Sequence, residues 1–235
     1  MTRRTHLTLG ALVIALGALC LGITRDAQAT MMLTLEDLNQ AGSKQTLADT
    51  NGTGILMFNG AIGHFGVNVT TGISKPLIGP NQLHLNSINV SGAGRIEIFL
   101  TDTDFSSLTP ATLFADLGGV KPNNGTVEVW QYADFSNQAF APGCADPTCV
   151  AMHRLFSGPP QAFAETQSVG LGGNTGIFSL TERVQIIHTS AGSVTSLDLQ
   201  GSVTPVPEPN MSLLLGVGLV GVVGMVKFFR WHRIA

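Results

Sequence analysis

Charge is scarce in this chain. Asp, Glu, Lys and Arg make up 11% of its 235 residues, and it holds one Tyr, two Trp and three Cys. Three cysteines are too few for a disulfide-built scaffold, so any fold must rest on a hydrophobic core, for which the length allows one medium domain. Basic residues are scarcer still away from the ends. Between Thr30 and Pro205 there are 6 Lys and Arg against 13 Asp and Glu, a net charge of −7. That balance excludes a nucleic-acid binder, which needs a basic patch to meet a polyanion. Catalytic motifs are missing too. There is no G-x-S-x-G turn and no H-E-x-x-H helix. The glycines Gly170, Gly172, Gly173 and Gly176 lack the Lys-Ser/Thr of a phosphate loop, and their expected place is a loop between strands. No cofactor and no metal site is expected. Cys144 and Cys149 with His153 make a poor zinc pattern, and His64 and His84 have no paired His nearby. Asp102 and Asp104 lack the further oxygen ligands of an EF-hand and are expected in a solvated loop after a strand.

What the chain does have is long apolar runs at both ends, and these raise its mean hydropathy to +0.28. At the start, Arg3 and Arg4 precede an apolar run over residues 7–23, and Ala27-Gln28-Ala29 follows. Basic region, apolar region and small-x-small site are the three parts of a secretory signal peptide. The reading assigns 1–29 to that signal, cut by signal peptidase after Ala29, with an uncleaved anchor as the alternative.

At the other end, Val206-Pro207-Glu208-Pro209 is followed by an apolar run over 211–226 and then by Lys227, Arg230 and Arg233. The prolines exclude helix and central strand, so the motif is extended. The 16-residue apolar run spans about 24 Å as a helix, and Phe228 and Phe229 extend it toward the ~30 Å of a hydrocarbon core. The basic tail favours the cytoplasmic side. Motif, short transmembrane helix and basic tail over 206–235 resemble the PEP-CTERM sorting signal, also catalogued as an ice-binding protein C-terminal domain. The resemblance implies a Gram-negative bacterium that makes exopolysaccharide, and a membrane-embedded exosortase that recognises Val206, Pro207, Glu208 and Pro209 and removes the helix. The anchor in the inner membrane is then transient, and the protein ends at the cell surface or outside. A plain single-pass anchor is the alternative.

Residues 30–205 read as a β-rich exported domain. Phe65, Val67 and Val69 alternate with polar or small neighbours, as do Ile96, Ile98 and Leu100, Val127 and Val129, and Leu197, Leu199 and Val203. Leu180, Val184 and Ile186 share one face. Between Leu85 and Ile88 the apolar parity shifts, which predicts a bulge. Asn124-Gly125 predicts a tight turn. One interior helix is expected, capped by Thr109, opened by Pro110, with Leu113, Phe114 and Leu117 on one face and Gly118 as its stop. Eight or nine short strands with one short helix predict a mainly β fold, an antiparallel sandwich or jelly roll.

Cys144 and Cys149 lie close together in a turn-forming stretch of an exported chain, and a disulfide pinning that loop is expected. Trp130 and Tyr132 share one parity of a strand, opposite Val127 and Val129. Exposed, they would suit sugar stacking; buried, they would form a second sheet face. The leading expectation is a non-enzymatic structural or interaction module associated with exopolysaccharide or biofilm. The alternative is a domain that binds or acts on carbohydrate, with Trp130 and Tyr132 as its platform.

Overall fold

A computed structural model describes residues 31–107, 110–123, 125–140, 149–172 and 176–206. The expected signal segment with Ala27 and Ala29, Cys144, Pro207, Glu208, Pro209 and the apolar run 211–226 lie outside the described residues. Twelve strands follow one another: β1 (Met32–Asp37), β2 (Gln45–Ala48), β3 (Ile55–Ile62), β4 (Phe65–Ile73), β5 (Gln82–Gly92), β6 (Gly94–Ser107), β7 (Ala111–Lys121), β8 (Thr126–Asp134), β9 (Cys149–Phe156), β10 (Gln161–Gly170), β11 (Gly176–His188) and β12 (Val194–Pro205).

They form two six-stranded sheets, a first in the order β2-β1-β6-β11-β8-β9 and a second in the order β10-β7-β12-β5-β4-β3. Every pairing is antiparallel. From β5 to β12 the chain passes repeatedly between sheets, so that β5-β12-β7-β10 faces β6-β11-β8-β9. This is the two-sheet winding of a jelly roll.

The alternating residues supply the core. Phe65, Val67, Val69, Ile96, Ile98, Leu100, Val127, Val184, Ile186, Leu197 and Leu199 are all buried between the sheets. The expected bulge is present: one residue separates Leu197 from Leu199, whereas two separate their partners Ile88 and Leu85. Ser87 absorbs the extra length at φ +51°. Gly125 closes a turn by donating its N–H to the Pro122 carbonyl, 3.3 Å.

Several expectations are corrected: the described residues form twelve strands where eight or nine were expected, and Asp104, expected in a solvated loop with Asp102, lies in β6. The segment read as a helix ending at Gly118 is strand β7, paired with β10 on one side and β12 on the other. Its inward positions are Ala111, Leu113, Ala115 and Leu117, a period of two that the helical triplet Leu113, Phe114 and Leu117 obscured. Asp102 is not in a solvated loop. It lies in β6 at 1% exposure, accepting hydrogen bonds from the Ser74 hydroxyl (2.6 Å) and Lys75 Nζ (3.1 Å).

Asp37 clamps the two sheets together at the opposite end. Its Oδ2 accepts the His64 N–H (2.9 Å) and contacts His64 Nδ1 (2.8 Å), and its Oδ1 accepts the Asn39 N–H (2.8 Å). Burial raises its pKa, but these donors more than offset that and leave it lowered. One polar pair interrupts the core. Glu182 of β11 and Gln131 of β8 are register partners, exposed by 0% and 1%, and their side-chain oxygens and nitrogen have no hydrogen-bond partner.

Candidate functional site

A sheet in a sandwich buries one face and offers the other, so the surfaces available for function are the two outer faces. On the first sheet, Thr46, Thr34, Phe99, Arg183, Trp130 and His153 lie in one cross-strand row. Trp130 stands between Arg183, whose guanidinium is 4.1 Å from the ring centroid, and His153, stacked at 5.0 Å and 14°. Arg183 reaches Phe99 as well, at 5.4 Å, and its Nε donates to Glu97 Oε1 at 2.6 Å. His153 Nε2 lies 2.7 Å from Glu128 Oε1. Each member of this ladder holds the next, and Trp130 is flanked from the strand on either side. A sugar ring stacking on Trp130 must displace one of those neighbours.

Tyr132 is further from a sugar platform. It is 3% exposed, because the chain after β8 folds back over this part of the sheet. Phe140 donates its N–H to Thr101 Oγ1 at 3.4 Å and meets Phe99 edge-on at 6.1 Å. The Gln138 carbonyl accepts the Ser179 hydroxyl at 2.6 Å, and Asn137 Nδ2 donates to Asp104 Oδ1 at 2.7 Å. Burial raises the Tyr132 pKa. Trp130 and Tyr132 therefore share a face as expected, but they do not form an exposed pair.

The outer face of the second sheet is different in kind. Asn59, Asn68, Asn89 and Ser196 lie in register across four strands, and His84, Gln200, Asp116 and Thr166 form a parallel row across β5, β12, β7 and β10. Between the rows, Asp198, Gly118 and Ala164 are in register. Three concavities of about 300, 270 and 230 Å³ overlap here. The first two share Asn89, and the last two share Gly118 and Asp198. Together they make a shallow trough from β3 to β10, across five strand spacings or about 24 Å. Its polar groups are partly pre-ordered. The Ser196 hydroxyl donates to Asn89 Oδ1 (2.5 Å), the Thr166 hydroxyl to Asp116 Oδ1 (2.6 Å) and the Ser87 N–H to Asp198 Oδ1 (2.5 Å). Burial holds the pKa of His84 below its ordinary value, against the pull of Asp198.

The other expected sites separate. Cys149 opens β9 and is half-buried, while its expected partner Cys144 is outside the described residues. Val206 follows β12 and donates its N–H to the Pro110 carbonyl at 2.8 Å, which ties the chain to the sandwich immediately before the motif's prolines. Among the described residues no group of three or more His, Cys, Asp or Glu is arranged to hold a metal ion, and no helix is long and apolar enough to cross a membrane. Ser74, Lys75 and Asp102 do assemble, a grouping the sequence reading missed. The Ser74 hydroxyl is 0% exposed and Lys75 lies 3.7 Å from the Phe105 ring centroid, so the group packs one sheet against the other and presents no nucleophile to solvent.

The trough was missed as well, since its residues come from six strands. The only local signal was Asn, Ser or Gly at the outward parity of several strands.

No family model matches the chain, and no curated protein does. Among solved structures, it is similar to the enzymatically active domain of tailspike protein 4 of bacteriophage CBA120, with a TM-score of 0.33 and 10% identity over 64% of this chain and 19% of that one. It is also similar to TmCBM61 in complex with β-1,4-galactotriose, with a TM-score of 0.32 and 10% identity over 63% of this chain and 92% of that one.

Proposed function

We propose that this chain is an exported, non-enzymatic interaction module that binds exopolysaccharide along the outer face of its second sheet. The observation that carries the reading is the continuous trough running from Asn59 to Thr166. A long shallow groove suits an extended polymer better than a small molecule, which is held in an enclosed pocket. Side-chain amides supply both donors and acceptors, and carboxylates accept strongly from hydroxyls. A polyhydroxylated chain matches that lining.

Delivery belongs to the same reading. The sandwich begins at Met31, 2% exposed and already in the core, two residues beyond the proposed cleavage after Ala29. Its last tie is at Val206, beside the motif Val206-Pro207-Glu208-Pro209 that resembles an exosortase substrate. Those positions suit a domain that stays folded while both ends are processed, by signal peptidase at one and exosortase at the other. The inner membrane is then a temporary station.

The test is retention in native gels that contain exopolysaccharide from a producing bacterium. The protein should be slowed in proportion to polymer content, and Asn89→Ala should lose at least tenfold in affinity. Migration unaffected by any polysaccharide sinks the reading.

A further inference from the structure

We infer that the trough takes an uncharged polysaccharide and that Gly118 is the point where this chain comes closest to the protein backbone, an inference that rests on the trough being a polysaccharide site. Glycine inside a strand gives up packing and loses more conformational freedom on folding than alanine. It is kept for a bulge, a tight bend or the close approach of something else. Gly118 sits in the middle of β7 with unbroken register to both β10 and β12, so it marks no bulge. Its φ is not positive. A Cβ there would meet only the Phe163 carbonyl oxygen, at an ordinary 3.7 Å.

Three other strand glycines are demanded by the fold. A Cβ on Gly119 would lie 2.5 Å from the Ser196 carbonyl oxygen, one on Gly72 would lie 2.9 Å from Leu100, and one on Gly201 would lie 1.4 Å from Gln131 Nε2. Gly118 answers to no such neighbour. What lies over it is the junction of two concavities, and a side chain there would project into the trough.

Charge decides the class of polymer. Asp116 and Asp198 flank Gly118 and are exposed. Among the residues lining the three concavities there is no Lys or Arg. Glu165, at the far end, is ion-paired with Arg154, and burial lowers the pKa of His84, which disfavours its cationic form. A uronate or sulfate group laid along this floor meets like charge at short range. Neutral hydroxyls meet acceptors.

The experiment measures the affinity of the full chain for soluble uncharged glucan, galactan and mannan and for alginate, with a chelator present so that calcium does not bridge carboxylates. At least one uncharged polymer should bind tenfold or more tightly than alginate. Gly118→Val should lose at least tenfold. Gly170→Val is the matched control, since Gly170 lies on the same sheet, lines none of the concavities and has nothing within 4 Å of a Cβ; it should bind as the parent does. Asp116→Asn should raise alginate binding, most strongly at low salt. Valine favours strands, and if Gly118→Val fails to melt cooperatively, Gly118→Ala takes its place with at least a threefold loss. Undiminished binding by the Gly118 variants overturns the contact point. Alginate bound as tightly as every uncharged polymer overturns the charge selection while leaving a polysaccharide site standing. Failure to bind any polysaccharide overturns the function itself.

Discussion

Glu182 should make this protein less stable as pH rises. Its carboxyl is 0% exposed and faces Gln131, and neither oxygen has a hydrogen-bond partner. Burial raises its pKa well above the ordinary carboxyl value; the backbone N–H groups of Gly201 and Leu85 pull the other way without reaching hydrogen-bonding geometry. In the unfolded chain the same carboxyl loses its proton above about pH 4.3. From there up to the folded-state pKa, the folded protein holds one proton more than the unfolded chain. Unfolding stability then falls with pH, by about 1.4 kcal/mol per unit from this one group. For a chain of this size that is a drop of roughly 3–6 °C in melting temperature per unit. Glu182→Gln keeps the shape and removes the ionisation. The difference in stability between variant and parent, from urea unfolding at intervals between pH 4 and pH 8, isolates this group from all others. It should be smallest at the acid end and grow with pH at that slope until the folded-state carboxyl itself ionises. Parallel curves for the two proteins would refute the reasoning.

Gly63→Ala should destabilise the clamp that joins the sheets. Gly63 has φ +56°, and a Cβ would fall 2.3 Å from Asp37 Oδ2; the left-handed conformation alone costs about 1–2 kcal/mol, and loss of the Asp37 hydrogen bonds adds to it. Thermal unfolding reads the effect, and an unchanged melting temperature would count against the clamp. Intact mass of the protein recovered from outside the cell, taken without reduction and after thiol alkylation, checks both ends and the loop. It should begin at Thr30, end near Pro209 and carry no alkyl group on Cys144 or Cys149. An intact Ala235 would favour a permanent anchor, and two labelled thiols would end the disulfide.

Much of the sandwich was legible in the sequence because strand faces obey a local rule. With a period of two, Ile96, Ile98 and Leu100 must point the same way wherever the strand is placed, and they are all buried. Even the bulge at Ser87 left a trace, as a slip in parity between Leu85 and Ile88. The segment from Ala111 to Gly118 defeated the same rule because its apolar residues satisfy two periods at once. Leu113, Phe114 and Leu117 fit a helix; Ala111, Leu113, Ala115 and Leu117 fit a strand. Pairing with β10 and β12 decided between them. That error also hid the site, since Gly118 looked like a helix stop and is instead a bare position on a sheet.

The sequence by itself determined that residues between the two apolar ends form an acidic, mainly β domain, and which parity of most strands faces inward. Both follow from neighbours along the chain. Only the tertiary structure decided that Tyr132 is covered, that Trp130 is held between Arg183 and His153, and that Asn59, Asn68, Asn89 and Ser196 stand in line. A cross-strand row depends on the order and register of strands far apart in the chain, and those are set by how the whole core packs.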